Sequence, residues 1–476
     1  MPHHGHDPSN PQAETPLADA LLRLTATDIG SVHALPLSRG HVLEGSRLQE
    51  KYLALFGKAF LTSDVSFSSP VIDSLFRPRT CLAAAQRLAA QAFGADRTFF
   101  VTCGTTMSNT IALSAMRLHG RRVLVDRTTH QSVHFGLDRS GAEVTYAGTS
   151  TPSDDGFGQA DVEALLREFA VAARAGTPYQ AVVLSGSSYD GRLLDLPAVL
   201  ASLMEHVTEL DVLVDEAWTA LYSFHPRLAS RTALAAGRHV RALHPDRRLR
   251  LFVTHSAHKS MAALRQGSYL HVLGDQDTIE RVEQALYSLH TTSPSLPILA
   301  SLDLARSQAA TEGEALVDRC LLHAARLRLL LQGGAFPGLV ESPSAPASRW
   351  MSPDPAKVVV DAGGLGLSAQ DLRLRLFHDH GLYAARGAGT KLLLNLHAGV
   401  TPTVMDRLER ALADLAVDDV APVDIESAFL VPYPPGVPLT VPGEAPENLA
   451  ATVAGFLRSG VDVFAVPQSG AARPAA

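Results

Sequence analysis

Between residues 97 and 273 the chain alternates short apolar runs with stretches of helical periodicity, and this pattern constrains its fold most strongly. Several of the runs are continuously apolar, which is typical of strands covered on both faces. Helices that cross between parallel strands provide such cover. The sequence therefore predicts an α/β fold with a mainly parallel seven-stranded sheet. Its predicted strands are Thr98–Thr102, Arg122–Asp126, Glu143–Ala147, Ala181–Leu184, Val212–Val214, Leu251–Val253 and Tyr269–Val272.

The composition shifts to Gly, Pro and Ser around residues 335–355, where we place a domain boundary. The part that follows mixes strand and helix patterns, which predicts a smaller α+β domain. Its predicted elements are strands Lys357–Asp361 and Lys391–Leu396 and helices Ala369–Phe377 and Val404–Leu415. The predicted domains are an N-terminal arm and helical segment at 1–60, a large domain at 61–335 and a small domain at 336–476. Within the arm, residues 1–20 are polar and are expected to be disordered. From about Ala18 the apolar residues recur with helical spacing, which predicts a helix there.

Composition excludes several classes of protein. The 476 residues are 46% hydrophobic and 19% charged, a globular balance, and the net charge of −7 argues against a general polyanion binder. Three cysteines without paired spacing exclude a disulfide framework or a cysteine-based zinc site. The N-terminus lacks an apolar signal region, and no run approaches the roughly 20 apolar residues of a membrane span. We expect a cytoplasmic enzyme without nucleic-acid or membrane partners.

The segment Thr102–Asn109 follows one predicted strand and opens a helix. Gly104 permits a tight turn, and the hydroxyls of Thr105 and Thr106 lie beside the free N–H groups of the helix start. This combination suits a phosphate group. The alternative is a helix cap rich in Ser and Thr that binds no ligand.

Two further polar groups follow predicted strands. Asp215 comes directly after an apolar run, at the carboxyl edge where α/β proteins build their sites. It is able to hold a metal, pair with a cation or keep a heterocycle protonated. Lys259 ends the segment Thr254-His-Ser-Ala-His-Lys259, where neighbouring cations and burial would lower its pKa and make the amine a nucleophile. The alternative is a lysine that points into water.

Together, a phosphate cradle, a strand-end Asp and a strand-end Lys match the needs of pyridoxal phosphate (PLP). Its aldehyde requires an amine, its pyridine nitrogen a carboxylate, and its phosphate a nest of N–H and hydroxyl groups. The order Thr105, Asp215, Lys259 fits one continuous cofactor domain.

Eight segments in order resemble the fold-type-I ornithine/lysine/arginine decarboxylase family over most of the chain. The resemblance is carried by segments that include the site residues above and extend beyond them. They are Ala83-Ala-Ala-Gln86 with Ala92–Phe100, Gly104-Thr-Thr106, Val125–Ser132, Tyr189-Asp-Gly191, Asp215-Glu-Ala217, Ser256-Ala-His-Lys259, Thr291–Ser295 with Ala300–Arg306, and Pro432–Pro438 with Val441–Glu444. The resemblance implies the PLP fold type I, with an aspartate aminotransferase-like large domain. The chain is similar to the shorter form of the family, which has no N-terminal wing domain.

The resemblance also implies roles for individual residues. Lys259 would form the Schiff base with PLP, Asp215 would pair with the pyridine nitrogen, and His130 and Ala217 would pack on opposite faces of the ring. Thr105, Thr106 and Ser256 would hold the phosphate, with Gly104 providing the turn. His258 would lie near the reacting carbons. Thr292 would reach into the site of a partner subunit, which makes a homodimer the minimal active unit.

Two departures from the family pattern bear on the substrate. Trp218 follows Ala217 where the family commonly has histidine. Where the family often has an acidic residue after Tyr-Gly-Ile, this chain reads His380-Gly-Leu-Tyr-Ala-Ala-Arg386, which has no acidic residue and ends in Arg386. Replacing a carboxylate by a guanidinium disfavours a lysine-like cationic tail and favours a substrate that carries a carboxylate. The alternative is that Arg386 points to solvent.

The resulting hypothesis is PLP-dependent decarboxylation of a basic or modified basic amino acid. A second hypothesis keeps the cofactor but diverts the Cα chemistry to oxidative deamination, cyclisation or elimination on a modified amino acid. A third is a non-enzymatic regulator, which the complete set of Lys259, Asp215 and His130 argues against.

Overall fold

A computed structural model describes residues 10–66, 72–148, 160–188, 191–342, 349–385, 387–417, 428–433, 439 and 462–467. Within these ranges the strands are β1 (Arg97–Val101), β2 (Arg122–Val125), β3 (Glu143–Tyr146), β4 (Ala181–Ser185), β5 (Arg192–Leu194), β6 (Glu209–Asp215), β7 (Arg248–His255), β8 (Ser268–Leu273), β9 (Val340–Glu341), β10 (Met351–Pro353), β11 (Lys357–Asp361), β12 (Gly387–Ala388), β13 (Lys391–Asn395), β14 (Ala428–Tyr433) and β15 (Asp462–Pro467). The α-helices are α1 (Pro16–Ala26), α2 (Gln49–Ser63), α3 (Cys81–Phe93), α4 (Gly104–Ala115), α5 (Gln131–Asp138), α6 (Val162–Arg174), α7 (Leu196–Met204), α8 (Ala233–Leu243), α9 (Ala257–Ser260), α10 (Gln276–Leu289), α11 (Leu296–Gln332), α12 (Ala369–His378) and α13 (Pro402–Val417).

The large sheet has seven strands in the order β1-β8-β7-β6-β4-β2-β3. Strand β8 runs antiparallel to both β1 and β7, and the remaining neighbours are parallel. The seven strands are those predicted from the sequence, with ends that differ by up to three residues. The mainly parallel sheet follows from their apolar pattern.

Helices cover both faces of this sheet. Alternate residues of β6 belong to different cores: Val212 and Val214 pack on one face, and Leu213 packs on the other. Because successive side chains of a strand point to opposite faces, both faces of β6 must be apolar. This is why the run lacks polar alternation.

A second sheet, of four antiparallel strands in the order β12-β13-β11-β9, forms after the long helix α11. It packs with α12 and α13 in a separate apolar cluster that begins at Ala324, inside α11. Strand β10 returns to the large domain and pairs with β5. The α+β character of this part agrees with the expectation, and the exact domain boundaries at 60 and 335 stay predictions.

The helix that the periodicity predicts from about Ala18 is confirmed as α1, which begins at Pro16. The expectation that residues 1–20 are disordered is wrong for residues 16–20. Leu17 and Ala18 are buried, and both donate backbone N–H groups to the buried carboxylate of Asp303. Residues 1–9 lie outside the described part of the chain. Among the described helices, none combines the length and apolarity needed to cross a membrane.

Candidate active site

Asp215 and Lys259 meet at the carboxyl edge of the large sheet. Asp215 is the last residue of β6, and Lys259 lies on the short helix α9 that follows β7. Strands β6 and β7 are parallel and in register, with Asp215 opposite Thr254. The carboxyl ends of neighbouring parallel strands lie at one edge, so the fold brings the acid and the amine together.

The carboxylate of Asp215 is buried and held by two donors. Asn109 Nδ2 donates to Asp215 Oδ2 at 2.9 Å, and the backbone N–H of Ala217 donates to Oδ1 at 3.0 Å. Thr254 donates to Asn109 Oδ1 at 2.7 Å, which fixes the orientation of the amide. Hydrogen bonds of this kind fix the direction of a carboxylate.

His130 stands at the N-terminus of α5 and is tied to the same network. Its Nδ1 accepts from the backbone N–H of Ser132 and lies 2.9 Å from Ser132 Oγ. Ser132 Oγ accepts from Asn109 Nδ2 at 3.0 Å. The His130 side chain remains exposed, as a ring that packs against a ligand must be. Partial burial of the imidazole lowers the pKa of His130, although the charge of Asp215 opposes this shift.

A hydroxyl cluster lies at the start of α4. Thr105 Oγ1 is 2.5 Å from Ser256 Oγ and 3.0 Å from Ser268 Oγ. Ser268 also bonds Ser108 Oγ at 2.8 Å and donates to a backbone carbonyl of β7. The cluster therefore links the start of α4 to the segment that carries Lys259.

Gly104 gives this helix start its shape. It has a positive φ of 74°, and within the described chain nothing lies within 4 Å of the position that a Cβ there would take. Cys103, at the N-cap, makes no side-chain capping hydrogen bond. The N–H of Gly104 donates to the carbonyl of Gln266 at 2.9 Å. The start of α4 has no side-chain cap and has hydroxyls beside it, as a phosphate site requires.

The amine of Lys259 is half-buried, and its Nζ lies 4.4 Å from the centroid of the Trp218 indole. Burial lowers the pKa of Lys259; Asp215 opposes this shift, and Lys357 adds to it. A lower pKa leaves more of the amine neutral near pH 7, and the neutral amine is the nucleophile.

A cavity of about 410 Å³ adjoins this amine. It lies between α9, α11 and the loop after β13, with His258, Lys259, Arg319 and His397 among its lining residues. His258 Nδ1 lies 3.0 Å from the carbonyl of Gly267. A carbonyl only accepts, so Nδ1 carries the proton and Nε2 is left as the basic atom.

The family described as "Orn/Lys/Arg decarboxylase, major domain" matches residues 15–342. The chain belongs to this family. It is 27% identical over 472 residues to an arginine decarboxylase of Bacillus subtilis, with 91% of each chain covered. It is 31% identical over 302 residues to the lysine decarboxylase LdcA of Pseudomonas aeruginosa, which covers 61% of this chain and 39% of that one.

Among solved structures, the lysine decarboxylase LdcF of Francisella novicida superimposes with a TM-score of 0.76 at 18% identity, covering 95% of this chain and 79% of that chain. This likeness confirms the predicted PLP fold type I. Family membership confirms that the chain is an enzyme of the amino-acid decarboxylase class, and the family implies PLP as the cofactor.

The structure of this decarboxylase-family chain brings most of the predicted site residues to one place. Lys259, His258, Asp215, Ala217, His130, Thr105, Ser256 and Trp218 surround the sheet edge, and Thr106 follows Thr105 with an exposed side chain. Thr292 lies exposed between α10 and α11 and, within the described residues, makes no hydrogen bond or ion pair to this group. Arg386 lies outside the described residues, as do Tyr189, Asp190, 434–438 and 441–444.

Sequence reasoning missed four contributors, Asn109, Ser132, Ser268 and Lys357. Asn109 ends the segment already singled out for phosphate binding. Its position on the inner face of α4 was the signal that could have indicated a role in the site. Ser132 closes a segment that was noted only for its resemblance. Ser268 and Lys357 begin strands and carry no local signal of function.

Proposed function

We propose that this enzyme decarboxylates a basic or modified basic amino acid with PLP, using Lys259 as the amine that binds the cofactor covalently. The observation that carries the proposal is that a partly desolvated Lys259 and an immobilised Asp215 carboxylate lie at one sheet edge, where the carboxylate acts electrostatically on the amine. Arginine and lysine decarboxylases among the relatives support the substrate class.

The residues present fit PLP. The N-terminus of α4, with Thr105 and Ser256, provides donors for a phosphate. Asp215 provides a fixed carboxylate for a protonated ring nitrogen, and His130 provides an exposed aromatic ring beside it. When bound, PLP supplies an aldehyde that reacts with amines and a ring that accepts electrons from the reacting carbon.

The chain's own residues supply binding and proton transfer. Asp215 is held in a fixed orientation at the site because Asn109 and Ala217 both donate to it. Decarboxylation replaces the carboxylate by a proton, and Lys259 Nζ and His258 are the groups beside the cavity that can deliver this proton. Burial lowers the pKa of His258, so its neutral form prevails and Nε2 can first accept a proton from Lys259 or water.

The lining of the cavity favours a modified substrate. Among its described lining residues no carboxylate occurs, whereas Arg319 and two histidines do. A free ammonium or guanidinium group would lack a counter-charge there. We therefore include substrates whose distal cation is capped or hydroxylated among those to be tested.

The active unit is proposed to be a homodimer in which Thr292 reaches the partner's site. The support is its exposure in the segment between α10 and α11, beside the equally exposed Thr291 and Ser293. Light scattering after size exclusion gives the mass, and a monomer with full activity contradicts this part of the proposal.

Product mass spectrometry tests the reaction. The PLP-loaded protein is incubated with arginine, ornithine, lysine and their hydroxylated or N-substituted relatives, with and without oxygen. We expect an amine that has lost its carboxyl group, formed without oxygen, and lost in Lys259→Ala but not in the exposed control Lys58→Ala. A product that keeps its carboxyl group, or that needs oxygen, overturns decarboxylation and supports the diverted chemistry.

A further inference from the structure

Two lysines from different domains approach the indole of Trp218. Lys259 Nζ lies 4.4 Å and Lys357 Nζ 5.1 Å from its ring centroid. The chain has 41 lysines and arginines, and only five of them are lysines. Two of these five are thus within about 10 Å of each other, a distance over which like charges still interact in a partly desolvated site.

Lys357 is held in place by a buried ion pair. Its Nζ lies 3.3 Å from Asp354 Oδ2, and the two side chains are 4% and 1% exposed. Tyr222 donates its hydroxyl to the other oxygen of Asp354, and the backbone N–H of Ala356 donates to that oxygen at 3.1 Å. The Asp354 carboxylate, fixed by these partners, thus holds the Lys357 amine in one place beside the indole.

Gly191 provides the space for this lysine. It has a positive φ of 89°, and a Cβ at that position would lie 3.3 Å from both Cβ and Cδ of Lys357. The carbonyl of Gly191 also accepts from the backbone N–H of Asp354 at 2.8 Å. Gly191 therefore supports the Asp354–Lys357 pair. This contact explains why a glycine is needed at position 191, which the sequence alone did not show.

The Lys259 amine is surrounded by charged and titratable groups from several elements. Asp215 at the end of β6 favours protonation of the amine. His130, His258 and Arg319, from α5, α9 and α11, lie around the same site. Lys357 on β11 brings with it the anion Asp354, which partly offsets its charge. Lys357 opposes protonation of the amine, and together with burial it lowers the pKa of Lys259.

We propose that Lys357 is a positioning residue whose fixed positive charge, held by Asp354 against Trp218, keeps the Lys259 amine neutral and nucleophilic. The inference rests on the proposed function only in taking Lys259 as the reactive amine. It assigns an electrostatic role at this site to a residue of β11, a strand of the second sheet.

Reactivity of the amine towards acetic anhydride tests this role without substrate. The full-length chain is stripped of PLP with hydroxylamine and trace-acetylated between pH 6 and 10. Peptide mass spectrometry then gives the labelling of Lys259 relative to the exposed Lys58 in the same sample. A small reagent reaches Lys259 through the cavity that it lines.

Lys357→Met removes the charge and keeps an unbranched side chain. We expect relative labelling of Lys259 near pH 8 to fall about threefold to tenfold, and its midpoint to move to higher pH. Lys357→Arg keeps the charge and should label within about twofold of the wild type. The exposed control Lys51→Met should leave the ratio unchanged.

Lys357→Met leaves Asp354 buried without a counter-ion and can impair folding. The double variant Asp354→Asn/Lys357→Met removes both charges, and we expect it to lower the labelling of Lys259 as well, but less than Lys357→Met, which leaves the Asp354 anion unbalanced. Unchanged labelling in a folded variant without Lys357, or equal losses in Lys357→Arg and Lys357→Met, overturns the proposal.

The outcome is independent of the reaction assay. If labelling follows the charge at position 357 but no amino acid is decarboxylated, the role of Lys357 stands and the proposed function fails. If decarboxylation occurs and labelling ignores position 357, the proposed function stands and the inference fails.

Discussion

Asn109 donates its side-chain amide to the buried carboxylate of Asp215 across 2.9 Å, and thereby connects helix α4 to the end of strand β6. Asn109 Nδ2 also donates to Ser132 Oγ, and Asn109 Oδ1 accepts a hydrogen bond from the hydroxyl of Thr254. Rotating the amide would break all three bonds, so the orientation of Asp215 is determined by residues of three separate elements.

Asn109→Leu should therefore weaken cofactor binding and catalysis together. The variant removes a hydrogen bond to a buried charged group, and we expect kcat/KM and PLP affinity to fall about 10-fold to 100-fold. Equilibrium dialysis gives the affinity, and Thr110→Ala on the same helix is the control. Wild-type affinity in folded Asn109→Leu would show that Asp215 needs no such support.

Stability should fall as the pH falls through the range where histidine titrates. His271 is fully buried between Thr98 and His255, and burial lowers its pKa well below its ordinary value of 6.5. Below pH 6.5 His271 is protonated in the unfolded chain but stays neutral in the folded chain. Each such histidine reduces the free energy of unfolding by about 1.4 kcal/mol per pH unit.

The slope of stability against pH identifies this histidine. Urea unfolding of His271→Gln between pH 7 and 5 should give a shallower slope than the wild type, whatever its stability at pH 7. His239→Gln, at an exposed position, should keep the wild-type slope. An unchanged slope in His271→Gln would assign the acid sensitivity to other buried histidines.

The sheet could be predicted because its strands are covered on both faces and so lack polar alternation. Asp215 and Lys259 could be predicted because each follows such a strand, and parallel strands place their carboxyl ends together. These inferences need only local patterns and one rule of topology.

The supporting residues could not be predicted because their roles depend on tertiary contacts. Lys357 begins β11 and, in the sequence, is simply the first residue of an apolar strand. Its approach to Trp218 depends on how the small domain packs against the large one. Likewise, α1 was expected to begin later because the carboxylate that binds its first N–H groups, Asp303, is 286 residues away from Leu17.

Arg306 should be essential for the attachment of the N-terminal arm. It pairs with Asp303 at 2.7 Å, and both side chains are fully buried. It also donates to the backbone carbonyls of Gln12 and Glu14. Arg306→Met leaves the Asp303 carboxylate uncompensated, and we expect a loss of about 3–5 kcal/mol in the free energy of unfolding.

Limited proteolysis distinguishes release of the arm from global unfolding. In Arg306→Met, cleavage within residues 10–26 should precede cleavage of the large domain. The exposed Arg410→Met serves as the control. Equal protease resistance of the arm in both variants would mean that packing of Leu17 and Leu21 is sufficient to hold it.

Thr105→Val should reduce PLP affinity by about tenfold while the fold is kept. The side chains have nearly the same shape, but valine loses the hydroxyl that lies 2.5 Å from Ser256 and 3.0 Å from Ser268. If this cluster binds the phosphate group of PLP, inorganic phosphate should inhibit PLP binding to the PLP-free wild-type protein more strongly than it inhibits PLP binding to PLP-free Thr105→Val. Competition titrations followed by visible absorbance measure both effects, and Thr311→Val on α11 is the control. If PLP affinity falls but phosphate competes equally in both proteins, Thr105 acts on the cofactor through Ser256 and the Lys259 segment instead of through the phosphate.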